Sequence, residues 1–199
     1  MKTKLLSLIS ALGISSLALA ATPSSQKLIF QADKGTGSVE FDAIGRPSAL
    51  KIHGKGSAPK GSLVLDGSTA SGNLVFDLDS LDTGIRLRNE HMKAKYLEVG
   101  KYGQATLSVI KLSIPDALRS EFGKVEKLPF QGVLSLHGVQ KPVTGFVTVS
   151  RATNQMTIAA DFSLKVNDFA IKTPSFAGIT MAEDVQVAIQ LVAPLVLQQ

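Results

Sequence analysis

Strict period-two alternation is the feature that most narrows the fold. Across residues 156–166, Met156, Ile158, Ala160, Phe162, Leu164 and Val166 fall on one side, and Thr157, Ala159, Asp161, Ser163 and Lys165 on the other. Only an extended strand with one buried and one wet face brings residues two apart together. The pattern repeats near the C-terminus, where Val185, Val187, Ile189 and Leu191 oppose Asp184, Gln186, Ala188 and Gln190. It recurs over 73–79, where Leu74, Phe76 and Leu78 alternate with Val75, Asp77 and Asp79. Less regular strands are predicted at 27–32, 37–43, 49–54, 62–65, 105–114, 130–137 and 143–150, separated by Gly- and Pro-bearing turns. Helix signals are confined to 86–99 and a short stretch at 116–122. Many short strands and one short helix predict an all-β chain, an antiparallel barrel or sandwich.

With 44% hydrophobic and 19% charged residues the chain has enough apolar side chains for a packed core. It has no cysteine. Disulfides, zinc–thiolate and iron–sulfur sites, thiol nucleophiles and a lipidated cysteine are therefore excluded. The three histidines, His53, His91 and His137, would nearly all be consumed by one metal centre, and no metal or cofactor is predicted.

The N-terminus reads as a leader rather than as fold. Lys2 and Lys4 precede a nearly uncharged run over 5–17, and Ala18-Leu19-Ala20 supplies a small-x-small cleavage pattern. The run is short for a membrane span. Residues 1–20 are thus expected to be a signal peptide, residues 21–199 one domain, and the location exported, in the periplasm. Cleavage would lower the formal charge of +5 by two. The remaining lysines are scattered without interleaved aromatics, which argues against nucleic acid; they read first as ordinary solvated lysines, with transient contact with a membrane surface as the alternative.

A barrel of about eight strands is just wide enough either to pack itself or to hold one ligand, and alternation alone leaves these two outcomes open. If there is a lumen, Leu74, Phe76, Leu136, Met156, Ile158, Phe162, Leu164 and Ile189 are its predicted lining. The densest polar cluster, 82–91, gathers Asp82, Thr83, Arg88, Glu90 and His91 on the one helical segment. Asp82 or Thr83 is placed to cap the helix. Arg88 and His91, three apart, are placed to share a face and hold a polar headgroup. A hairpin follows at 132–143, with His137 at a strand end where its ring can bond a neighbouring loop. Histidine suits general-base chemistry with Asp82 or Glu90, but no nucleophile elbow, phosphate loop or metal spacing accompanies it.

Two separated motifs carry a resemblance. Leu81-Asp82-Thr83-Gly84, Arg88-Asn89-Glu90-His91-Met92-Lys93 and Tyr96-Leu97-Glu98-Val99 resemble the central signature of the YceI-like polyisoprenoid-binding family. Leu134-Ser135-Leu136-His137-Gly138-Val139-Gln140-Lys141-Pro142-Val143 is similar to its second hallmark. The similarity extends over residues 37–192. Asn89 stands where the family pattern has aspartate, 100–103 replace a tyrosine-proline, and 169–178 lack an arginine-serine-aspartate-phenylalanine run. The family's charge therefore does not carry over to Asn89 or to the vicinity of residue 172. The resemblance implies a lipocalin-like antiparallel barrel of roughly eight strands with an apolar interior. It also implies that Arg88 and His91 lie near the opening. The implied function is periplasmic binding, transport or sequestration of an isoprenoid or similar long-chain lipid, without catalysis. The alternatives are a filled-barrel scaffold or partner-binding module, possible as a homodimer, and an enzyme using His91 or His137.

Overall fold

A computed structural model describes residues 27–46, 51–118, 120–176 and 179–198. The predicted leader and the first residues of the strand predicted at 49–54 lie outside these. β1 (Leu28–Gln31) and β2 (Thr36–Arg46) run one after the other along the same side of β11 (Ile179–Leu197). Leu28–Phe30 pair with Leu197–Leu195, and Thr36–Arg46 with Val192–Thr180. They form one stave of a wall, broken by a 3-10 turn at Ala32–Lys34. β3 (Lys51–Gly56) and β4 (Lys60–Asp66) form the next stave in the same way, β3 against β2 and β4 against β1. The second break contains Pro59, which is fully buried and has no N–H to donate to a ladder. The two breaks are tied together, because the Gly61 N–H donates to Asp33 Oδ1 at 2.9 Å.

The wall continues through β5 (Thr69–Asp77), β6 (Gln104–Ser113), β7 (Phe122–Leu136), β8 (Val139–Ala152) and β9 (Gln155–Lys165), each antiparallel to the last, and β9 returns to β11. β10 (Ser175–Phe176) is a short addition to β11. The result is a closed antiparallel barrel of eight staves, so the predicted barrel is correct and the sandwich is not. Closure leaves no free edge along the ring.

Several predicted boundaries are corrected. The strand expected over 73–79 stops at Asp77, where a 3-10 turn at Leu78–Ser80 begins. Asp77 caps that turn by accepting the Asp79 N–H at 3.0 Å. By contrast, the segment 86–99, expected to hold one short helix and its exit, does so as a six-residue α1 (Arg86–His91) that widens into a π-helical turn at Met92–Tyr96. The helical stretch expected at 116–122 shrinks to one turn, Asp116–Leu118, because Phe122 already starts β7. Val166 leaves the alternating strand for a 3-10 turn, Val166–Phe169.

The two barrel ends differ. One carries the short turns at 67–68 and 153–154 and the 114–121 connection. The other carries the long 78–103 connection with α1, the turn at His137-Gly138 and the segment 166–174. His137 (φ +51°) and Gly138 (φ +77°) both take left-handed conformations between the paired residues Leu136 and Val139. Two such residues make the turn whose twist matches that of an antiparallel hairpin.

An apolar inner wall and its helical rim

The inner face is apolar wherever the strands alternate. Leu74, Leu107 and Leu134 are paired in one row across β5, β6 and β7, and all are buried. A second row runs Val149, Ile158, Leu191 across β8, β9 and β11, again buried. In a third, Phe130, Gly145 and Phe162 are successive partners across β7, β8 and β9. A Cβ on Gly145 would lie 2.2 Å from the Asp161 carbonyl oxygen and 2.8 Å from the Phe130 ring. Glycine therefore lets the two aromatic side chains close over the wall, where their rings meet edge to face at 6.1 Å.

Of the predicted lining, Leu74, Phe76, Leu136, Met156, Ile158, Phe162 and Ile189 are buried in the core. Leu164 is partly buried and packs against it. These residues come from β5, β7, β9 and β11, and the topology brings them into one enclosed cluster.

The rim is built by the 78–103 connection. Lys55 and Asp82 exchange backbone hydrogen bonds of 2.8 Å in both directions, so this connection extends the wall beside β3. Asp82 and Thr83 do not cap α1; its N-cap is Ile85, which makes no side-chain cap bond. Asn89 reaches back instead. Its Oδ1 accepts the Thr83 N–H (2.8 Å) and hydroxyl (2.7 Å), and its Nδ2 donates to Asp82 Oδ1 at 2.6 Å. Asp82 Oδ1 also accepts the Gly84 N–H, and these two donors, with Lys93 farther off, hold its carboxyl below the usual aspartate value. On the inner side of the rim, Met92, Tyr96, Leu97 and Val99 pack against the buried core.

Arg88 and His91 are used differently from one another. Arg88 donates through Nε to Thr83 Oγ1 (2.8 Å) and through a terminal nitrogen to the Thr83 carbonyl (2.6 Å), bracing the turn before α1. His91 is exposed. The carboxylates suggested as partners for a histidine base are engaged elsewhere, Asp82 as above and Glu90 with Arg86 at 2.8 Å.

His137 is the buried polar group of the rim, 9% exposed. Its ring does bond a neighbouring loop, with Nδ1 3.2 Å from the Phe169 carbonyl, and its Nε2 lies 2.7 Å from Glu98 Oε2. The Tyr102 ring packs against it in a tilted contact, 4.4 Å between centroids. Both ring nitrogens face oxygen atoms of other connections. The ring joins three connections at one point. The Glu98 partnership was not visible in the sequence: Glu98 is 39 residues away and sits in the left-handed region (φ +45°).

Outside the wall, Lys51, His53 and Lys55 alternate on the outer face of β3 and, with Asp82, Thr83, Gly84 and Arg88, line a shallow cleft of about 610 Å³. Lys55 pairs with Glu40 at 2.9 Å and His53 with Asp42 at 3.0 Å. The Lys55 ammonium holds the Glu40 carboxyl below its usual range, with His53 and Ser38 assisting. Among the described residues no group of three histidine, aspartate or glutamate side chains is placed to hold a metal ion.

A family model for the YceI-like domain matches residues 30–193. The chain belongs to the YceI-like domain family. No curated relative matches it. Solved structures similar to this YceI-like chain include a polyisoprenoid binding domain from Saccharophagus degradans implicated in plant cell wall breakdown. It is 17% identical, with TM-score 0.63, over 87% of this chain and 99% of that one. BcnA of Burkholderia cenocepacia is 21% identical, with TM-score 0.61, over 78% of this chain and 96% of that one. The YCEI protein of Campylobacter jejuni is 16% identical, with TM-score 0.53, over 72% of this chain and 84% of that one. At such identities these matches establish the shared fold.

Proposed function

We propose that this YceI-like chain is an exported periplasmic protein that binds a long-chain apolar lipid, of the isoprenoid type or similar, inside its barrel. It carries or sequesters that lipid without making or breaking a bond. The observation that carries the reading is the continuous apolar inner face of a closed eight-stave wall, ended on one side by a helical rim. The Saccharophagus degradans neighbour, described as polyisoprenoid binding, supports the same ligand class.

The energetics suit reversible carriage. Burying apolar chain is worth about 0.8 kcal/mol per CH₂, so a five-carbon unit gains roughly 3–4 kcal/mol against water. Association costs about 4–15 kcal/mol, so several units are needed for tight binding. Transfer from a bilayer, where the chain has already left water, is close to neutral and permits both loading and release. The predicted lining, Leu74, Phe76, Leu136, Met156, Ile158, Phe162, Leu164 and Ile189, would contact the tail. Because Arg88 is committed to Thr83 and His91 is exposed, a headgroup would meet them only at the rim.

A filled barrel acting as a scaffold is the second reading, favoured by the low exposure of the inner residues and by the Phe130–Phe162 contact. One experiment separates the two: native mass spectrometry and organic extraction of protein purified from cells, followed by uptake of a fluorescent prenyl probe. Co-purifying lipid and saturable uptake are expected. Their joint absence would leave the filled barrel.

A further inference from the structure

The rim presents an apolar surface that the lumen reading does not use. Ile85 is 53% and Leu87 55% exposed, on either side of Arg86 at the start of α1. Ile44, 44% exposed, lies at the same barrel end, because it pairs with Lys51 where β2 meets β3. Basic groups border these residues: Lys51 and Lys55 on β3 line the cleft that the segment before α1 closes, and Lys95 lies exposed one turn beyond α1. Exposed aliphatic side chains ringed by basic ones match the two halves of a lipid surface, acyl chains below and anionic headgroups above.

We propose that this rim, with Ile44, Ile85 and Leu87 as its apolar contacts and Lys51 and Lys95 as its cationic ones, docks on the surface of an anionic phospholipid bilayer. The proposal rests on the lumen reading for its purpose, since docking at the helical end brings the barrel opening to the layer that holds the lipid. The geometry stands without it. Of the acidic groups nearby, Glu90 is paired with Arg86, Asp79 with Lys93, Glu40 with Lys55 and Asp42 with His53, while Asp82 accepts from the Gly84 N–H and Asn89. Lys51 and Lys95 are thus left to face outward.

The test is co-sedimentation of the full chain with vesicles of phosphatidylcholine alone or mixed with phosphatidylglycerol. Intact mass is measured for every variant so that all share one N-terminus. The chain is expected to bind the mixed vesicles more tightly, and less so as salt rises. Replacing both Ile85 and Leu87 by serine should weaken that binding about tenfold or more. The pair Lys51→Gln and Lys95→Gln should weaken it about 25-fold, at roughly fivefold per basic side chain, and abolish the preference for the anionic lipid. Equal binding of wild type and both variants, or none by wild type, overturns the docking. So does concentration-dependent self-association that disappears with the serine pair, which would assign the patch to a second copy. Uptake of a prenyl probe delivered without vesicles is read in parallel. Its absence in wild type refutes the lumen reading alone, whereas retained uptake by variants that no longer bind vesicles separates docking from carriage.

Discussion

Removing the His137 ring tests whether the rim is held at a single point. In His137→Ala the Phe169 carbonyl loses its donor at 3.2 Å, a loss of about 1–3 kcal/mol for a buried acceptor. The contact with Glu98 at 2.7 Å also goes. The Glu98 side chain is 49% exposed and recovers hydration, so this part is worth only about 1 kcal/mol. Together these give roughly 2–4 kcal/mol, a fall in melting temperature of about 5–15 °C for a domain of this size. Urea denaturation measures the first figure. A double-mutant cycle with Glu98→Gln should return a coupling of about 1 kcal/mol. Hydrogen exchange should quicken in 92–103 and 166–171 while β9 and β11 stay protected. A variant within about 0.5 kcal/mol of wild type, the scale of ordinary surface substitutions, or a cycle with no coupling, would refute the argument that this ring joins the three connections.

Three further outcomes are expected. Ile158→Glu or Phe162→Glu should abolish prenyl-probe uptake, and Thr157→Glu on the opposite face of β9 should leave it intact; titration of probe fluorescence reads both. Gly145→Ala should destabilise the fold by about 1–3 kcal/mol in urea, since its methyl group meets backbone oxygen at 2.2 Å. Asp82, whose carboxyl is held below its ordinary value by Gly84 and Asn89, contributes order to 82–91 that is complete above that ordinary value and fades as pH falls through the lowered one. Limited proteolysis of this segment should therefore rise on acidification in wild type, and Asp82→Asn should be nicked at neutral pH and respond less to acid.

The sequence made the wall legible where one face of a strand is buried and the other wet, as in β9, because burial imposes a period of two. It was less informative where β7 runs beyond its pairing with β6. Residues 122–129 of β7 carry Lys124, Glu126, Lys127 and Pro129 and pair with the far end of β8, largely exposed, so no alternation announces them. Pairing, not patterning, keeps them extended. A short helix was expected, but its π-helical exit was hidden: Asn89 is spent tying the turn at Thr83, and Met92 and Tyr96 must both reach the core, which the wider π-helical turn allows. At the candidate site the burial of Leu74, Phe76, Leu136, Met156, Ile158, Phe162 and Ile189 was readable from the alternation. The His137–Glu98 contact was not, because it depends on two left-handed backbone positions in separate connections.

The pairing of Leu28–Phe30 with Leu195–Leu197 has a consequence for how such a molecule comes to exist. The ring is fastened by segments from opposite extremes of the described chain, so no partial product of synthesis can complete it. Until the final strand has emerged, the greasy faces of every earlier hairpin remain uncovered, and zipping the seam is a late, long-range step of the slow kind. Shortening the chain by a few residues around Leu195 would undo only the β1 end of that seam, while the longer pairing of β2 with Val192–Thr180 would still hold the ring closed.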